Sequence, residues 1–281
     1  MLAQCITNCT GNCPSYLARV APYTKLLPIE IVHKPTSDKL WVHRVFYRKE
    51  SLVFDYDDGI HLGKQNFFKH TIKRTKIVLA GCDALAEAAL DAGAKDVRIW
   101  RTGVDINSYE INIHKQNDPL VWTGSSSTLQ YLISISDVLE QSKIPIRVIC
   151  DLKPIWNINT DFIPWSKETQ TSGLLGCSIG LAPLIDNNWT RYKCAFKIIQ
   201  YMAAGLPVIS SSIGANKEIF DQYKCQGVLA KTKKEFLDAI IWLQNDPQER
   251  QRMGIENRKI AEQFFDHKVL AKILSKALYE S

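Results

Sequence analysis

Lys193 and Lys197 stand four residues apart in "KCAFKIIQYMAAGLPVISSSIG", residues 193–214. On a helix, that spacing projects both ammonium groups from one face near the amino terminus, where free backbone N–H groups already favour an anion. A diphosphate suits such a place. Gln200, a further turn along the same side, carries a carboxamide able to hydrogen-bond sugar hydroxyls. Ala203, Ala204 and Gly205 let the helix end pack closely and turn into a buried strand. An ordinary solvated lysine face is the alternative account of the pair. A second group, Asp55, Asp57 and Asp58 in "VFDYDDG", closes a strand. Mutual repulsion among carboxylates so close should raise at least one pKa, as a group assisting deprotonation of a hydroxyl requires. A helix cap, with Asp57 or Asp58 holding backbone N–H groups, explains them equally well.

These residues need elements to hold them. Short β-branched or apolar runs alternate with amphipathic segments of helical length, the pattern of parallel sheets covered by helices. The first block predicts strands at "IEIVHK", "LWVHRVFY", "SLVFDYD", "KIVLAG" and "DVRIWRTG", with a helix "DALAEAALDAG" capped by Asp83 and closed by Gly93. The polar stretch "YEINIHKQNDP" reads as a linker, and the domains divide at 1–115 and 116–281. The second block predicts strands at "LVWTG", "IRVICD", "DFIPW", "IGLAPL", "LPVISSS" and "QGVLAK". Helical segments "TKKEFLDAIIWLQND" and "PQERQRMGIENRKIAEQFFDHKVLAKILSKALYE" follow, the last free to pack back on the first domain. Two doubly wound domains facing each other make a cleft at the carboxyl ends of their strands, so chemistry is expected in the loops "DYDDG", "TGSSST", "DNNWTRYK" and "SSIGANKE".

Composition excludes several classes. The chain has 281 residues, with 35 Lys and Arg against 29 Asp and Glu, an excess compatible with an anionic ligand but too small to indicate nucleic-acid binding. No apolar run is long enough to span a bilayer, and no secretion signal is expected in "MLAQCITNC". Cys82, Cys150, Cys177, Cys194 and Cys225 read as reduced packing thiols of a cytoplasmic protein. Cys5, Cys9 and Cys13, spaced CxxxCxxxC, match no zinc pairing and read as part of a mobile terminus. "GKQNFFKHTIKRTK", residues 63–76, interleaves cations with Phe67, Phe68 and Ile72. It is compatible with peripheral docking on anionic lipid or, more simply, with a solvated helix packed on its own sheet.

From Asp161 to Ile219, through "DFIPWSKETQTSGLLGCSIGLAPLIDNNWTRYKCAFKIIQYMAAGLPVISSSIGANKEI", the sequence resembles the family-4 retaining glycosyltransferases. The likeness extends to "LVWTGSSSTLQYL", "NDPQERQRMG" and "VFDYDDGIHL". It implies an α/β GT-B fold of two facing Rossmann-like domains with parallel sheets, the N-terminal one truncated. It implies transfer from a nucleotide-diphosphate sugar, a UDP- or GDP-sugar, to a glycan or lipid-linked acceptor, with retention and without an essential metal or cofactor. By position, Arg191, Lys193 and Lys197 would neutralise the diphosphate, with Lys193, Lys197 and Asp58 in the catalytic roles. Gly124, Ser125, Ser127 and Thr128 would meet the phosphates, Pro164 would lie beneath the base with Trp165 a core residue beside it, and Gln200 would take the ribose. Asp55, Asp57 and Asp58 would line the acceptor side. The sequence departs from the family where Tyr192 and Gln200 replace its two glutamates, where Ser125 to Ser127 replace a cation, and in a first block of only about 110 residues. No active-site histidine is evident among His33, His43, His61, His70 and His114. A donor-binding protein without turnover is the rival these departures suggest.

Overall fold

The computed structural model describes residues 3–7, 19, 21–24, 29–33, 52–63, 65–73, 75–113 and 115–279. The predicted strand "LWVHRVFY", with His43, and Cys9, Cys13, Lys64, Arg74 and His114 lie outside them. The chain divides into two compact units. One comprises Met1–Gly103, Arg191–Cys194 and His267–Ser281, the other Val104–Thr190 and Ala195–Asp266.

The first unit contains β1 (Ala3–Thr7), α1 (Ala21–Thr24), β2 (Ile29–His33), β3 (Leu52–Tyr56), α2 (Gln65–Ile72), β4 (Ile77–Ala80), α3 (Asp83–Asp91) and β5 (Val97–Ile99). The strands form a parallel sheet in the order β2-β1-β3-β4-β5. The terminus expected to be mobile is therefore an interior strand: Cys5 pairs with Ile31 on one side and Val53 on the other. "AQCIT" is short and half polar, so its strand character comes from ladder bonds on both sides rather than from its own pattern. Val53, Phe54, Asp55 and Tyr56 are all buried, as a strand covered on both faces requires. Phe54 and Tyr56 stack at 5.3 Å and meet Phe68 of α2. Phe68 and Ile72 are thus spent on the unit's own core, while Lys69, His70, Lys73 and Lys76 stay exposed. In α3 the cap position belongs to Cys82, with Asp83 inside the first turn, and Gly93 (φ +94) closes the helix as expected.

The second unit runs through β6 (Leu120–Thr123), α4 (Ser126–Ile133), α5 (Ser136–Ser142), β7 (Ile146–Cys150), β8 (Thr160–Pro164), α6 (Thr169–Ser172), β9 (Ile179–Ala182) and α7 (Phe196–Ala203). It continues with β10 (Val208–Ser211), α8 (Gly214–Tyr223), β11 (Gly227–Ala230), α9 (Lys233–Asn245) and α10 (Pro247–Phe264). Its six strands are parallel, in the order β11-β10-β9-β6-β7-β8. From β6 the chain proceeds to β7 and β8, and from β9 in the other direction to β10 and β11, so the winding reverses between β6 and β9. Open parallel sheets offer a crevice outside the carboxyl ends of the strands at such a reversal. The expected single helix from Pro247 splits at the buried pair Phe265 and Asp266, where Val104 N–H donates to the Phe265 carbonyl at 2.9 Å. The remainder, α11 (His267–Tyr279), sends Leu270, Ala271 and Leu274 into the first unit's core with Tyr23, Val53, Ile77 and Trp100. Apolar spacing carries straight across the break, which is why periodicity missed it.

The stretch read as a linker holds a fixed residue. Asn112, 1 % exposed, donates to the carbonyls of Leu174 (3.2 Å) and Ala204 (2.9 Å) and accepts from the N–H groups of Gly176 (2.7 Å) and Cys177 (3.3 Å).

Candidate functional site

The loop leaving β6 and the helix that follows β9 flank the reversal point of the second sheet. Gly124 follows β6 directly, and a Cβ there would lie 2.5 Å from Trp122 Cη2, so glycine is required for the turn to pass over the indole. Ser125 and Thr128 then form a reciprocal capping box at the start of α4, and the Ser125 and Ser127 hydroxyls lie 2.8 Å apart. On the β9 side, Tyr201 of α7 lies over Gly180, where a Cβ would meet its ring at 2.4 Å. The Tyr201 hydroxyl donates to the Leu181 carbonyl and accepts from Thr123 N–H, both at 3.1 Å. One buried side chain therefore ties α7 to β9 and to the last residue of β6. Lys197, one turn earlier, holds its Nζ 5.4 Å from the centre of the Trp122 ring, within cation–π range.

The same loop carries a feature the sequence did not reveal. Asp151, just past β7, accepts from Ser126 N–H at 2.5 Å and from Ser126 Oγ at 2.8 Å. These bonds hold its carboxyl below the usual range. The amino terminus of α4, expected to receive phosphate, already receives a carboxylate.

Lys193 and Lys197 do not share a helix face. α7 begins at Phe196, and Ala195 before it is left-handed (φ 55), so the chain changes direction between the lysines. Lys193 belongs to the first unit, where its Nζ donates to Asp58 Oδ1 at 2.8 Å. The adjoining Cys194 thiol donates to the Asp57 carbonyl at 3.0 Å, and Tyr192 meets the edge of His61 at 4.4 Å. Burial pushes the Asp58 carboxyl above its usual range, Lys193 opposes this, and Asp57 adds to it. The expected rise is present, with desolvation rather than repulsion as its main cause. His61 is pushed down by burial, and its two ring nitrogens have no hydrogen-bond partner among the described residues. Its ring packs against Phe68 and Tyr192.

Asp55 does not face solvent. It is 4 % exposed and pairs with the Arg19 guanidinium, Nε donating to Oδ2 at 3.2 Å and Nη2 to Oδ1. Arg19 Nη1 also reaches the Trp100 carbonyl at 2.6 Å and Thr102 Oγ1 at 3.2 Å. Gln200 is likewise inside, 3 % exposed, its Nε2 donating to the Tyr109 hydroxyl at 3.3 Å. Pro164 is exposed at the end of edge strand β8, and Trp165 beside it is half-buried rather than core. Arg191 is exposed in the 3-10 turn Thr190–Tyr192. Among the described residues no three His, Cys, Asp or Glu side chains gather as metal ligands would, and no helix is long and apolar enough to cross a membrane.

Arg19, Trp122, Asp151 and Tyr201 escaped the sequence reading. Trp122 and Tyr201 have the pattern of ordinary core residues, and Asp151 that of a loop acid. A strand-flanked glycine next to an aromatic was the available signal for Trp122.

Residues 194–260 match the family Glycosyl transferases group 1. No curated protein matches the sequence. Among solved structures, the chain is similar over its full length and theirs to HepE of Anabaena in complex with UDP and glucose (13 % identity, TM-score 0.74). It is similar, again over both full lengths, to the same protein with UDP-glucose (14 %, 0.72). It also resembles WaaG, a glycosyltransferase involved in lipopolysaccharide biosynthesis, over all of both chains (11 %, 0.68). The fold is thus GT-B, and the group 1 match covers α7, with Lys197, through most of α10.

Proposed function

We propose that the protein is a retaining, metal-independent glycosyltransferase of family 4, moving a sugar from a nucleoside-diphosphate donor to a glycan or lipid-linked acceptor. The second unit takes the donor and the first the acceptor. The observation that carries this reading is Lys197, which lies inside the group 1 match, in the first turn of α7, its Nζ 5.4 Å from the centre of the Trp122 ring beside the reversal point of the sheet. As the bond from the sugar to the diphosphate breaks, negative charge builds on the leaving oxygen. An ammonium group together with the first-turn N–H groups of α7 stabilises that charge where it develops. The leaving phosphate then accepts the acceptor's proton on the same face, which gives retention without a protein nucleophile. Asp58, with its raised pKa, would assist on the acceptor side. UDP-glucose is the donor to try first, since HepE, alike in fold, is described with it.

One observation favours a second reading, a nucleotide-sugar-binding protein without turnover: Gln200, at the expected ribose position, is buried against Tyr109. Calorimetry with UDP-glucose and GDP-sugars, combined with a donor-hydrolysis assay in the presence and absence of chelator, decides between them. Binding with chelator-insensitive turnover is the expected result. Binding without turnover selects the second reading, and absence of binding removes both.

A further inference from the structure

We propose that Trp122 is a positioning residue that sets Lys197 and the Gly124 turn in register with each other for a nucleoside diphosphate. The inference rests on the reading of Lys197 as a phosphate contact and adds what holds it in place.

Trp122 is 0 % exposed and sits in an apolar core cluster of the second unit, yet it brings an unused polar group with it. Its Nε1–H finds no hydrogen-bond partner among the described residues. A buried donor without an acceptor is unfavourable, and leucine or phenylalanine would occupy the strand without that cost. The indole supplies two things that leucine would not. Its face is the strongest aromatic partner for a cation, and Lys197 Nζ lies 5.4 Å from its centre. Its six-membered ring also reaches beneath the loop, with Cη2 and Cζ2 lying 2.5 and 2.6 Å from where a Cβ of residue 124 would be.

One rigid ring therefore limits the height of the turn and the swing of the lysine. A lysine with four rotatable bonds loses much side-chain freedom on meeting a phosphate, and a face that restrains it beforehand reduces that loss. Tyr201 fixes α7 to Thr123 at 3.1 Å, so the helix carrying Lys197 and the strand carrying Trp122 are already in register. The indole extends that register from backbone to charge.

The test is a double-mutant cycle on UDP and GDP binding, measured by calorimetry on the full chain. The variants are W122L and W122F, each alone and with K197A, alongside wild type and K197A. With Lys197 present, W122L is expected to weaken binding about tenfold and W122F about threefold, because the phenyl face keeps part of the cation interaction. In the K197A background both should change affinity by less than about twofold. Equal losses in the two backgrounds, or none in either, would overturn the proposal and leave Trp122 a packing residue. If W122L lacks a cooperative thermal transition, the W122F pair decides by the same criterion. Failure of the underlying reading looks different: wild type then binds neither nucleotide, or K197A binds as wild type does.

Discussion

Without its carboxylate, Asp55 would leave the Arg19 guanidinium buried beside two remaining acceptors, the Trp100 carbonyl and Thr102 Oγ1. Breaking a buried ion pair by removing one partner costs about 3–5 kcal/mol, so D55A should lower the urea midpoint markedly whether or not an acceptor is present. An unchanged midpoint would return Asp55 to the acceptor role that the sequence suggested. Asp58, two residues past the strand, behaves differently. Its pKa is raised by burial, so the native state binds that proton more tightly than the unfolded chain does. Its contribution to stability is full at pH below the ordinary carboxylate value and is lost as pH climbs through the raised one. Lys193 offsets this by favouring the ionised form. K193M should therefore show a thermal deficit that is small near pH 4 and grows towards about pH 7, and D58N should remove that growth. A deficit independent of pH would place the lysine's contribution elsewhere. The sequence could not separate these two aspartates. An acid inside the apolar run "LVFDY" signals a buried charge, but its partner is 36 residues upstream and no local pattern points to it.

At the scale of elements, the succession of strands along the second unit was legible because most of them are short apolar runs between turn residues, whereas their order in the sheet was not. The helix start at Phe196 was not. "KCAF" contains neither glycine nor proline, so nothing in it announces that Ala195 adopts φ 55 and separates the lysines. β1 was hidden for the opposite reason, since its pairing on both sides replaces the propensity its residues lack. The loop "GSSST" was legible as a helix start, but the carboxylate that occupies that start, Asp151, comes from another strand and no local pattern pointed to it. If the Gly124 turn takes a nucleoside diphosphate as proposed, a fixed carboxylate there repels it. D151N, which keeps the side-chain shape, should tighten UDP binding about two- to fivefold, more at low ionic strength than at high. Weaker binding in D151N would mean that Asp151 contacts the donor directly, through a sugar hydroxyl.

For the whole molecule, the group 1 match and the likeness to UDP-bound GT-B proteins bear on one prediction, that the chain binds a nucleoside diphosphate through Lys197. Calorimetric titration of UDP and GDP into wild type and K197A tests this most directly, with the thermal midpoint of each recorded alongside. The lysine lies partly open at the first turn of α7, so its loss should leave the midpoint within a few degrees. A charge-assisted bond to phosphate is worth about 1.5–3 kcal/mol, so affinity should fall by about ten- to a hundredfold for whichever nucleotide wild type prefers. Equal affinity in the two proteins, with both folded, would contradict the account.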